Sequence, residues 1–148
     1  IGLIENRIPT LGVVYAPALD RMFFASSATG AFEESEKGIQ KITIRPVPNS
    51  GPVAVASVSH RDESTNNWLN SNSIKDTISI GSSLKFCLVA CGEADVYPRF
   101  GPTMEWDTAA GDAVLRSAGG KVLLPSGELF SYGKSNYRNS AFIAHGSF

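Results

Sequence analysis

Glu105-Trp106-Asp107-Thr108-Ala109-Ala110-Gly111-Asp112-Ala113-Val114-Leu115-Arg116-Ser117-Ala118-Gly119-Gly120-Lys121-Val122 reads as a helix that stops at a glycine pair and turns back into a strand. The pattern places the helix at 107–118 and the strand at 120–124. Asp107 then stands at a helix start, where a carboxylate caps free backbone donors or holds a cation. Ala109, Ala110 and Gly111 let another group come close to the backbone. One carboxylate does not run metal-dependent phosphate chemistry. Glu105 falls before the expected helix, and Asp112, five residues on, lies about 140° round it, so neither joins Asp107 on one face.

Working outward, strands alternate with helices on both sides of this segment, which is the signature of a layered α/β domain. Strands are expected at 53–59, 77–80, 95–97 and 141–144, and helices at 62–70 and 84–91. Before a Pro46–Pro52 linker the pattern is almost pure strand, a meander over 1–5, 11–15, 22–25, 30–34 and 42–45 with turns at 6–9 and around Asp20. The boundary is set near residue 50, giving an antiparallel part at 1–49 and an α/β domain at 50–148. No internal repeat or low-complexity tract occurs.

With 148 residues, 43% hydrophobic content and a net charge of -1, the chain is large enough to bury a core. It has neither the basic stripe of a nucleic-acid binder nor a polybasic lipid patch. No nucleic-acid polymer is expected as a partner, and an anionic ligand must be held by a local site. No apolar run approaches the roughly 20 residues of a membrane-spanning helix, so the chain reads as soluble. Cys87 and Cys91 are the only cysteines. Four apart on a helix, they read as small buried groups in a reducing cytoplasm, with no further Cys or nearby His to complete a zinc set.

Three strand exits carry polar groups that converge if the strands are neighbours, and open α/β sheets bind ligands at such ends. The first is Ser59-His60-Arg61. The second is Gly81-Ser82-Ser83-Leu84-Lys85, where backbone N–H groups, hydroxyls and an ammonium compose an anion site. The third is Tyr97-Pro98-Arg99-Phe100-Gly101-Pro102, where the Arg99 fork suits a phosphate. Each has an ordinary reading beside this one: a helix cap and a solvated lysine, a surface ion-pair arginine, a structural histidine at His60 and another at His145.

On Leu11-Gly12-Val13-Val14-Tyr15-Ala16-Pro17, Ser59-His60, Ser79-Ile80-Gly81-Ser82-Ser83-Leu84-Lys85-Phe86-Cys87, Tyr97-Pro98-Arg99-Phe100-Gly101-Pro102-Thr103 and Trp106-Asp107-Thr108-Ala109-Ala110-Gly111, the chain resembles the C-terminal portion of the 3'(2'),5'-bisphosphate nucleotidases, within the inositol monophosphatase family. The Trp-Asp box is family-wide, and the Lys85 and Arg99 segments match the nucleotidase branch. The resemblance implies a sugar-phosphatase α/β/α/β/α layering and a magnesium-dependent phosphatase of sulfur metabolism. It implies hydrolysis of the 3'-phosphate of adenosine 3',5'-bisphosphate, in the cytoplasm or on the cytoplasmic face of the inner membrane. Asp107 is implied as a Mg2+ ligand beside the scissile phosphate, and His60, Gly81, Ser82, Lys85 and Arg99 as groups that bind the nucleotide. An inositol or sugar monophosphate phosphatase, and an inactive nucleotide-binding remnant, are the alternatives.

The sequence departs from the family in one large respect. The family's Glu and its Asp-Pro-x-Asp-Gly-Thr box, which supply the other metal ligands, do not occur. The chain is therefore expected to be a fragment, inactive alone, that misses an N-terminal part or self-associates through an exposed sheet edge.

Overall fold

The computed structural model describes residues 1–56 and 62–148. Its first hairpin turns on Asn6 and Arg7, both left-handed at φ 50° and 67°, the two-residue geometry whose twist matches paired strands. This tight turn joins β1 (Gly2–Glu5) to β2 (Ile8–Ala16), so β2 begins inside the segment that the sequence pattern assigns to a turn. A short 3-10 turn (Pro17–Leu19) leads to β3 (Arg21–Ser26), β4 (Gly30–Ser35) and β5 (Gly38–Ile42). All five pair antiparallel in chain order.

The last of these strands corrects the expectation of a strand at 42–45. The register runs from Ser35↔Gly38 to Ala31↔Ile42, so strand pairing is spent by Ile42. Beyond it, the Ile44 N–H donates to the Ala118 carbonyl at 3.1 Å. Arg45 makes a two-pronged contact with Asp95, both arms at 2.9 Å. Asp95 also accepts from the Val53 N–H at 2.7 Å. Burial raises the Asp95 carboxyl, but Arg45 and the Val53 N–H outweigh it and hold the group below its ordinary value. That buried carboxylate ties the crossing segment to the second sheet.

The second half runs β6 (Val53–Ala56), α1 (Glu63–Ser71), β7 (Asp76–Ser79), α2 (Leu84–Ala90), β8 (Val96–Arg99), β9 (Thr103–Met104), α3 (Glu105–Ser117), β10 (Lys121–Leu123), β11 (Arg138–Asn139) and β12 (Phe142–His145). Asp62 caps α1 by accepting from the Thr65 N–H at 2.7 Å. Five of the strands form a mixed sheet in the order β10-β12-β8-β6-β7. β6 runs parallel to both β7 and β8, and β12 is antiparallel to β8. β9 and β11 make a separate two-stranded pairing that the sequence pattern does not indicate.

The layers follow from which faces are apolar. α1 covers one face of the mixed sheet through Leu69, packed with Ala54, Val96 and Ile143. On the other face α2 and α3 pack side by side, and α3 lies in turn against β1, β2, β3 and β4. The inner face of the antiparallel sheet buries Val14, Phe23, Ala25, Ala31 and Ile42. Its outer face carries Leu3, Leu11, Tyr15 and Ile39, all exposed, and the stacked pair Phe24 and Phe32 with centroids 5.6 Å apart.

α3 reaches both layers because its small residues allow it. A Cβ at Gly12 would lie 2.2 Å from the Ala110 carbonyl oxygen, and one at Gly111 would lie 2.7 Å from the Phe86 ring. Neither clash is with a flexible tip, so both positions exclude a side chain. Gly12→Ala is expected to cost about 3 kcal/mol and to lower Tm by roughly 5–10 °C. Gly81→Ala, whose Cβ would meet nothing within 4 Å, should stay within about 0.5 kcal/mol of the parent. Urea and thermal unfolding of the two variants side by side checks this.

Candidate functional site

Two parallel neighbours, β6 and β8, and the strand on the other side of β6, β7, end on the same side of the mixed sheet. The exit of β7 leads through Gly81, Ser82 and Ser83 into α2, and that of β8 ends in Arg99. His60 lies outside the described residues. The remaining exits meet the start of α3 at a cleft of ≈ 290 Å³, whose lining includes Ser82, Ser83, Lys85, Tyr97, Arg99 and Asp107. Four of the six residues singled out from the sequence thus share one cavity. Gly81 sits at its edge with open space above it.

The local geometry adds detail that the sequence pattern does not indicate. Ser82 holds a left-handed backbone at the β7 exit (φ 62°). A non-glycine residue held there marks a backbone fixed by its surroundings. Ser83 occupies the cap position of α2 without a side-chain capping bond, so neither hydroxyl is spent on the helix. Arg99 ends a strand rather than sitting in a loop, and its Nη2 donates to the Pro102 carbonyl at 3.4 Å.

Lys85 is the least ordinary group in the cleft. It is only 4% exposed. Its Nζ donates to the Ser82 carbonyl at 2.9 Å and lies 5.2 Å from the centre of the Tyr97 ring. Burial first, and then the nearby Arg99 charge, lower its pKa to about 8. Two cations facing one cavity disfavour each other until an anion arrives. Tyr97 is pushed up to about 12 by burial, against the pull of Arg99.

Asp107 is the third residue of α3, inside the first turn rather than at the cap, because the helix begins at Glu105. Its Oδ2 accepts from the Met104 N–H at 2.7 Å, the return half of a capping box. Glu105 is nearly buried and turns away from the cleft. It accepts from the Gly133 N–H at 3.0 Å, the Lys134 N–H at 2.9 Å and the Lys134 Nζ at 3.2 Å. Burial raises this carboxyl, yet those donors hold it below its ordinary value. Asp112 is buried with Arg116 at 2.7 Å and the Tyr132 hydroxyl at 2.9 Å, and burial raises it.

Among the described residues no three His, Cys, Asp or Glu side chains come together as a metal set. Asp107 is one oxygen donor for a magnesium ion, which asks for near-octahedral oxygen coordination. The donor set of this chain does not by itself fit that ion. Cys87 and Cys91 are free, and burial lifts both thiols, Cys91 to about 12, in keeping with small buried groups. His145 stacks on Phe148 and shares a 3.2 Å contact with its carbonyl, a structural place.

A second ring of residues was invisible to motif reading. Thr108, buried beside Asp107, is within 3.2 Å of Asn139 Nδ2 and of the Tyr132 hydroxyl, and its own hydroxyl donates to the Glu105 carbonyl at 3.2 Å. Its place in the Trp-Asp box is the only signal that pointed to it. Trp106 lines the cleft and is 68% exposed.

Fold and cleft define an α/β protein with two five-stranded sheets and a cleft carrying Lys85 and Arg99 where strands of the mixed sheet give way to helices. The profile of the inositol monophosphatase family matches residues 1–146, and the chain belongs to that family. It is 47% identical over 134 residues to the 3'(2'),5'-bisphosphate nucleotidase CysQ of Salmonella typhimurium, covering 89% of this chain and 52% of that protein. The match to CysQ of Buchnera aphidicola is 42% over 147 residues, covering 97% and 55%. Among solved structures, CysQ from Bacteroides thetaiotaomicron superposes with a TM-score of 0.89 at 35% identity, covering 99% of this chain and 61% of that one. The chain spans about half the length of the curated relatives it matches.

The Lys85 pKa sets a pH dependence. Lys85 carries its charge below about pH 8 and loses it above. Sulfate, whose charge is constant across this range, should bind more weakly as pH rises through 8. Lys85→Met should weaken binding at low pH and flatten the profile. Calorimetric titration at a series of pH values reads both.

Proposed function

We propose that the chain is the nucleotide-binding part of a metal-dependent phosphatase that removes the 3'-phosphate of adenosine 3',5'-bisphosphate, giving AMP and inorganic phosphate. The observation that carries this reading is the pairing of Lys85 and Arg99 in the cleft that also holds Asp107. A monophosphate needs one anion site, whereas two cations beside a separate carboxylate suit a ligand with two phosphates. Relatives named as bisphosphate nucleotidases support the same reading.

In the reaction a water oxygen bonds to phosphorus and gives up a proton, the bond from phosphorus to the 3' oxygen breaks, and that oxygen takes up a proton to become the 3' hydroxyl of AMP. Magnesium, when bound, supplies activation of the water and charge neutralisation at the leaving oxygen. Asp107 alone does not complete such a site, so the roles assigned to this chain are binding and orientation. Lys85, Arg99 and the Ser82 and Ser83 hydroxyls hold the phosphate that does not react. His60 is assigned to the same ligand from its sequence position. Asp107, with its carboxylate fixed by the Met104 N–H, faces the reacting phosphate and offers one ligand to the metal. The reading carries with it a cytoplasmic setting; no helix among the described residues is long and apolar enough to cross a membrane.

Calorimetry on the chain with adenosine 3',5'-bisphosphate and with inositol 1-phosphate tests the proposal. The bisphosphate should bind the more tightly, and Lys85→Met or Arg99→Leu should each weaken it roughly ten- to hundredfold, the range for a lost charge-assisted contact. A preference for inositol 1-phosphate would reject the nucleotide assignment. Phosphate release is measured in parallel with magnesium present. Turnover by the chain alone would overturn the reading of Asp107 as a solitary ligand.

A further inference from the structure

The cleft explains how two phosphates are held but leaves the rest of a nucleotide without a place. At ≈ 290 Å³ it sits at the bottom of the range for small-molecule sites, roughly 300–1,000 Å³. Two phosphates and a ribose fill it, and a base must extend past its rim. On that rim stands Trp106, the second residue of α3, 68% exposed and next to Asp107. Tyr137, 56% exposed, lies against it with ring centroids 6.3 Å apart and planes inclined by 46°. A large aromatic surface left in water forgoes the burial that usually places it inside, and here one such ring lines the cavity while a second lies against it.

The pair is firmly mounted. Tyr137 holds a left-handed backbone at φ 53°, a conformation that a bulky residue adopts only where its surroundings impose it. Those surroundings are visible. The Tyr137 carbonyl accepts from the Glu105 N–H at 2.8 Å, and its own N–H donates to the Lys134 carbonyl at 3.1 Å. The Glu105 carboxylate grips the backbone of Gly133 and Lys134. The Lys134 ammonium also donates to the Ser131 carbonyl and lies over the Phe130 ring at 4.4 Å. The first residue of α3 therefore holds the loop that presents Tyr137, while the second residue presents Trp106. Rings fixed before the ligand arrives lose little freedom when it binds.

We propose that Trp106 and Tyr137 form a stacking platform for the base of the nucleotide, a specificity element that rests on the nucleotide reading above and extends it from the phosphates to the base. Base-to-ring stacking is tolerant of which base is present because every base has a π-face. The platform thus selects a nucleotide over a sugar phosphate without selecting strongly among nucleotides. Of the two rings Trp106 alone lines the cleft, so the feature that makes the wall a base platform is its partnership with Tyr137.

The test is calorimetric titration of the 148-residue chain with adenosine 3',5'-bisphosphate, ribose 5-phosphate and sulfate. Trp106→Leu removes one ring. Tyr137→Asn removes the other and keeps a residue type that tolerates the left-handed backbone. Each variant should weaken adenosine bisphosphate roughly five- to hundredfold, the usual range for loss of one base stack. Binding of ribose 5-phosphate and sulfate should stay within about twofold. Trp106→Phe should recover part of the loss. Equal weakening of all three ligands would show a merely structural role and overturn the platform. So would unchanged binding of adenosine bisphosphate, or wild-type binding no tighter than that of ribose 5-phosphate, while a loss on Lys85→Met would leave the anion pocket standing. If the wild-type chain binds none of the three, the nucleotide reading itself fails and the platform falls with it.

Discussion

The close approach of α3 to the antiparallel sheet is the contact on which the remaining structure depends. Gly12 meets the Ala110 carbonyl from one side and Gly111 meets Phe86 from the other, so the helix is held between two layers with no room to slide or rotate. Because helical residues project at fixed angles, fixing the axis at Ala110 and Gly111 fixes the residues one turn earlier. Those are Trp106, Asp107 and Thr108, all three at the cleft. Aromatic packing continues the constraint outward: Phe86 stacks on Phe142 at 5.6 Å and meets Tyr97 edge-on at 5.2 Å. Lys85 precedes Phe86 in α2, and Tyr97 comes two residues before Arg99 in β8. The packing that supports the two cations is therefore the packing that seats α3.

Charge is distributed unevenly over this frame. Most buried carboxylates have a cation beside them: Asp95 has Arg45, Asp112 has Arg116 and Glu105 has Lys134. The Asp95 and Glu105 pairs each fasten one segment to another, the Asp112 pair lies within α3, and breaking any of them would leave a buried charge uncompensated. Lys85 is the contrast. It faces a carbonyl, an aromatic ring and a second cation, and this setting lowers its pKa rather than raising it. An ammonium kept among such neighbours stores electrostatic free energy that an arriving anion releases. This separates a structural buried charge from a recognition charge with no appeal to motif.

Periodicity and turn chemistry made much of the fold legible. Alternating residues marked the meander, and the Gly119-Gly120 pair marked the end of α3. The β5 register was misread because Ile42-Thr43-Ile44-Arg45 alternates as a strand does, yet pairing is decided by the Gly38 turn, and Ile44 and Arg45 are claimed by Ala118 and Asp95. Arg99 was read as a loop residue because Pro98 looked like a break, but Pro98 is tolerated within β8, opposite Ile143 of β12. That Ser82, Lys85 and Arg99 would gather was legible from their positions at strand exits, and Asp107 from its place at a helix start; all four line one cleft. The Glu105, Lys134 and Asn139 network was not, since its members lie about thirty residues apart in a stretch without periodicity and meet only through tertiary packing.

The role of Asp107 looks contradictory, because one carboxylate is asked both to cap a helix and to serve a metal. The geometry removes the conflict. A carboxylate has two oxygens and about four lone-pair sites, and the Met104 N–H uses one of them. That bond freezes the side chain, so the remaining lone pairs point in a fixed direction before any ligand is present, and a pre-set donor loses less entropy on binding. The helix contributes as well, since its positive end favours the approach of a phosphate. Capping thus prepares the ligand it might have been thought to consume. What one such donor lacks is company: a cation that demands several hard oxygens is held by Asp107 only in concert with donors from elsewhere. Under the proposed function, recognition and metal binding therefore place different demands on the polypeptide: Lys85 and Arg99 are the groups proposed for the first, and among the described residues Asp107 offers only a fraction of the second.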